Sequence, residues 1–181
     1  MTMKPGLRKF VRTAHITFTV GWLGAVAGFL ALAIAGLTNE DVQVIHSVYP
    51  AMELIARFVI VPLSFAPLLL TGPILSLGTP WGLFRHYWII VKLVITIFCT
   101  VIMQLHMQPI SYLSRAATAG TLSSADYSLQ LQMVVAAGAA LLALLLATGL
   151  SVYKPRGMTL YGWRKQHEEH LVLSPDVDAT L

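Results

Sequence analysis

Residues 13–37 read TAHITFTVGWLGAVAGFLALAIAGL, twenty-five positions without a single Asp, Glu, Lys or Arg. About twenty apolar residues carry a helix across the roughly 30 Å hydrocarbon core of a bilayer, whereas a soluble helix of this length would carry a charged face. Just ahead stand Lys4, Arg8, Lys9 and Arg12. A basic start before an apolar run also describes a signal peptide, but this run is about twice the usual length of a cleaved apolar region. It reads as a retained first span.

The same pattern recurs along the chain. A second apolar run covers about 47–77, a third about 87–107 and a fourth about 128–152. The second holds Pro50, Pro62, Pro67 and Pro73, which predicts a bent helix ending near Thr71-Gly72-Pro73, because interior prolines free carbonyls that neighbouring helices and hydroxyls can satisfy. Gly78 to Trp88 mixes turn formers, aromatics and basic residues, as an interfacial turn does. Gln108-Pro109 is expected to close the third span, and Lys154-Pro155-Arg156-Gly157 to stop the fourth. Whole-chain composition agrees: 181 residues, 56% hydrophobic and 11% charged, with mean hydropathy +0.73. The fold expected is all-α, a four-helix transmembrane bundle forming one domain over 1–157, with a tail over 158–181 that is disordered at its end.

Basic residues set the expected orientation. Lys4, Arg8, Lys9, Arg12, Arg85, Lys154, Arg156, Arg164 and Lys165 fall on one side and Arg115 on the other, with Arg57 and Lys92 inside spans. Positive residues stay inside, so both termini are expected in the cytoplasm, with the chain in a bacterial inner membrane. The net charge of +4 then serves anionic lipid headgroups and not nucleic acid. Cys99, the single cysteine, makes no intramolecular disulfide. Gly24 and Gly28, with the run Ala136–Ala140, predict close helix approach, and oligomer formation stays open.

Polar residues inside spans are costly and therefore informative. At helical spacing His46, Pro50, Glu53, Arg57 and Ser64 share one stripe of the second span. Lys92, Thr96, Cys99, Met103 and His106 share one of the third, and His15, Thr19 and Trp22 one of the first. The economical expectation is that these faces converge on one interior. Glu53 and Arg57 stand four apart, in the order that favours an ion pair; alternatively Arg57 anchors an anionic cofactor group or a quinone oxygen. Lys92 either enters a buried site or snorkels to the interface.

Four membrane histidines divide by depth, His15 and His86 toward the amino-terminal side and His46 and His106 toward the other. Imidazole ligates haem iron through one nitrogen, although such residues can equally be wetted at the boundary. Met52, Met103, Met107, Met133 and Cys99 add soft sulfur near His46 and His106, which would suit copper(I), or simply fill apolar space. Serine triads, P-loops, paired-cysteine zinc patterns and dinucleotide glycine motifs are absent from the sequence.

The first span reads Ala14-His15-Ile16-Thr17-Phe18-Thr19-Val20-Gly21-Trp22-Leu23-Gly24, a histidine, six residues, a tryptophan, one residue and a glycine. This resembles the opening helix of copper-resistance D-like membrane proteins and of HemJ-type protoporphyrinogen oxidases. Trp88-Ile89-Ile90-Val91-Lys92-Leu93 is similar to the third helix of the HemJ-type group, with His106 farther along. The resemblance covers two helices of four. It implies a small helical bundle binding haem b, with His15 as ligand and Lys92 as a site residue, and a quinone or porphyrin-type ligand as partner. The expectation is thus a membrane protein with haem b between its helices, serving electron transfer or a membrane redox step. The alternatives are a copper-handling protein using His46 and His106, and a noncatalytic partner subunit or scaffold.

Overall fold

A computed structural model describes residues 4–71, 87–153, 157, 159 and 163–164. Within these the chain is helical, with four helices long and apolar enough to cross a membrane. His86, the interfacial turn, the far end of the second span and most of the carboxyl-terminal tail lie outside the described residues.

Helix α1 runs from Pro5 to Thr38, with proline in its first turn, where the missing N–H costs nothing. It begins well before the apolar run because a helix need not stop at the headgroups. Asn39 and Asp41 then reverse the chain: the Asn39 side chain accepts from the Asp41 N–H at 3.1 Å, and Asp41 caps α2 by accepting from the Gln43 N–H at 2.8 Å.

Helix α2 starts at Val42, and its regular path is interrupted among its prolines. Regular α-helix gives way to wider π-helical turns over Ala56–Ile60 and again over Ala66–Thr71, with an α-helical stretch at Val61–Phe65 between them. Pro62 offers no N–H to the Phe58 carbonyl and its ring crowds that group. The preceding turn expands, and the Val61 N–H reaches Ala56.

Helix α3 spans Tyr87–Thr118 and passes straight through Pro109, against the expectation that Gln108-Pro109 ends it. One ladder bond is lost there, but Ile110, Leu113, Ala116 and Ala117 beyond it are buried, and their packing carries the helix three turns farther. It stops at Gly120, whose φ of 65° few other residues adopt. The Thr121 N–H bonds Ala116 and the Gly120 N–H bonds Ala117, a Schellman closure. A capping box between Ser123 and Asp126 opens a short 3₁₀ turn leading into α4, Tyr127–Tyr153.

The helices form a ring in which each touches its neighbours in sequence and α4 closes against α1. Trp22, Val26, Phe29 and Ala33 face inward from α1, meeting Tyr49, Met52, Ala56 and Ile60 of α2 and Met133 and Ala137 of α4. Large apolar side chains such as Phe10, Phe58, Phe98 and Leu142 stand exposed on the outside, a surface suited to acyl chains and not to water. Hydroxyls on this surface return to their own helices: Thr19 donates to His15 O, Thr96 to Lys92 O and Thr148 to Leu144 O.

The glycines behave differently from expectation. A side chain begun at Gly24 or Gly28 would meet nothing within 4 Å, whereas one at Gly36 would meet the Tyr49 ring. The close approach of α1 and α2 is thus made at Gly36. The Tyr49 hydroxyl is buried there with no hydrogen-bond partner among the described residues. A buried unpaired hydroxyl costs stability, so Tyr49→Phe is expected to stabilise the bundle by about 1 kcal/mol. An unfolding titration in SDS checks this, and a lower midpoint would contradict it.

Candidate functional site

Two polar constellations sit at different depths. Toward the amino-terminal end, His15 of α1 and Lys92 of α3 are both half-buried, and the Lys92 charge acts on the imidazole through space. They come from helices that are not neighbours in the ring.

Toward the other end, Glu53 and Arg57 of α2 meet Ser111 of α3. Arg57 Nη2 donates to Glu53 Oε1 at 3.0 Å and to Ser111 Oγ at 3.3 Å, while Ser111 Oγ donates to the same carboxylate oxygen at 2.7 Å. The intrahelical pair expected from spacing is present, and it also ties two helices together. Arg57 also lines a cleft of about 590 Å³, together with Gln108, Ser111, Tyr112, Arg115 and Leu129 among others.

The expected single interior is therefore divided. Ser111, the partner of Arg57, lies nineteen residues along α3 from Lys92, about 28 Å at 1.5 Å per residue. Lys92, and not Arg57, is the cation whose charge reaches His15. The two outer histidines also stand apart. His46 Nε2 lies beside Gly120 in the turn after α3, whereas His106 is twelve residues before the last residue of α3, about 18 Å deeper. His106 Nδ1 lies 2.8 Å from Ile102 O and so donates to it, and Nε2 faces the Gln132 amide of α4 at 3.4 Å. Met52 and Met133 are core filler, each 1% exposed. Among the described residues no three of His, Cys, Asp and Glu are grouped to hold a metal ion.

The face Gln108, Ser111, Tyr112 and Arg115 was missed in the sequence because the third span was closed at Pro109. Its signal was there, since intervals of three, four and seven place all four on one helical face. No family model, curated protein or solved structure matches this chain.

Proposed function

We propose that the chain is a multi-pass protein of a bacterial inner membrane, with both termini cytoplasmic, that holds haem b near His15 and serves electron transfer or a membrane redox step. The excess of Lys and Arg on the amino-terminal side supports the orientation. What supports the cofactor reading is that His15 and Lys92, on two different helices, are both half-buried and that the Lys92 charge reaches the His15 imidazole. Haem needs an imidazole sheltered from bulk water and a cation for its carboxylates, and these two side chains answer that need.

When bound, haem supplies a one-electron couple set by its axial ligand and the polarity around it. His15 would offer a ring nitrogen to the iron. The Lys92 ammonium would pair with a propionate, and its own burial gives it reason to do so. Trp22, two turns on from His15 and 3% exposed, helps to keep water from this end of the bundle.

An absorption spectrum of the detergent-purified protein, produced with ample haem supply, tests the reading. A Soret band is expected, abolished by His15→Ala and weakened by Lys92→Ala. A protein without that band refutes haem binding; copper found by metal analysis, and lost with His106→Ala, would put the copper reading in its place.

A further inference from the structure

We propose that the cleft between α2 and α3, at the end away from the amino terminus, is a binding site for a phosphate group. This site is independent of the haem reading, lying about 28 Å along α3 from Lys92.

Three observations carry it. The first is charge. Arg57 and Arg115 both line the cleft, and among the described residues Arg115 forms no ion pair, while Glu53 offsets only Arg57. Two guanidiniums against one carboxylate leave one positive charge over. Asp126 accepts from the Ser123 N–H, the Ser123 hydroxyl and the Tyr112 hydroxyl, and it does not itself line the cleft.

The second is donor geometry. Arg57 brings a planar, charged guanidinium with several N–H donors to the cleft wall. Gln108, Ser111 and Arg115 place an amide, a hydroxyl and a second guanidinium along the facing helix at intervals of three and four. One guanidinium suffices for a carboxylate, whereas guanidiniums from two neighbouring helices on one cleft suit the several oxygens of a phosphate.

The third is depth. Helix α3 has 32 residues, about 48 Å, so its ends project well beyond a hydrocarbon core of roughly 30 Å. Arg115 lies within a turn of the end of α3 and Arg57 is level with Ser111, two turns from it. The cleft thus straddles the headgroup boundary, and Met107, Pro109 and Leu129 supply an apolar wall. The phosphate can belong to an anionic lipid headgroup or to a soluble phosphate ester.

The test uses the full chain, stripped of lipid in neutral detergent and titrated by native mass spectrometry with phosphatidylglycerol, diacylglycerol or glycerol phosphate. Saturable binding of phosphatidylglycerol, at least tenfold weaker in Arg115→Gln and in Arg57→Gln, is expected. Arg115 is exposed, so its substitution should leave folding unchanged, which a thermal melt verifies. Glycerol phosphate binding with the same arginine dependence also supports the site and assigns it to a soluble ester. Binding of neither phosphate compound, equal binding of diacylglycerol, or indifference to Arg115→Gln would overturn it.

Discussion

Replacing Gly36 by leucine is expected to separate α1 from α2 and to bring unfolding in SDS to a much lower detergent fraction. A Cβ at this position would stand 2.9 Å from Tyr49 Cζ, 3.0 Å from its hydroxyl and 3.2 Å from Val48 Cγ1. None of these can step aside, because Tyr49 is 2% exposed and Val48 is buried against the same helix. Helices in lipid gain nothing from leaving water when they associate, so close van der Waals packing holds the pair. Overpacking in a tight core costs about 1–3 kcal/mol, which Gly36→Ala should show, and leucine should exceed it. Gly24→Leu supplies the control, since the space around Gly24 is open and its cost should fall within experimental error. Equal midpoints for the two leucine variants would refute the close approach at Gly36.

Glu53→Ala is the second large loss. One carboxylate oxygen accepts from both Arg57 and Ser111, so alanine removes an intrahelical ion pair and a cross-helix hydrogen bond together. It also leaves the Arg57 guanidinium two turns below the end of α3 with only a hydroxyl for a partner. Hydrogen bonds to charged groups are worth about 1.5–3 kcal/mol each. Because Arg57 is more than half exposed and can snorkel toward the headgroups, a net cost of about 2 kcal/mol is expected. Ser111→Ala should cost less, and the double variant should cost less than the sum of the two. Simple additivity would mean that the serine and the carboxylate act separately.

Four helices long and apolar enough to cross a membrane could be read straight from the order of residues, because lipid demands long uncharged runs and each run carries its own demand locally. The fourth helix, anticipated over 128–152, spans Tyr127–Tyr153, and the Glu53–Arg57 pair followed from a spacing of four. The prolines of α2 likewise announced that its regular helix would be interrupted. Spacing along one helix assigns a residue to a face, however, and says nothing of its height against a neighbour. That height follows from how the turns at 39–41 and 119–123 set adjacent helices in register, and from packing beyond Pro109 that keeps α3 helical. Once register was set, Arg57 found Ser111, about 28 Å along α3 from Lys92, and His46 was parted from His106. Which polar groups can share a ligand is a question of register between helices, settled by contacts such as Tyr49 on Gly36 that no single helix carries within itself.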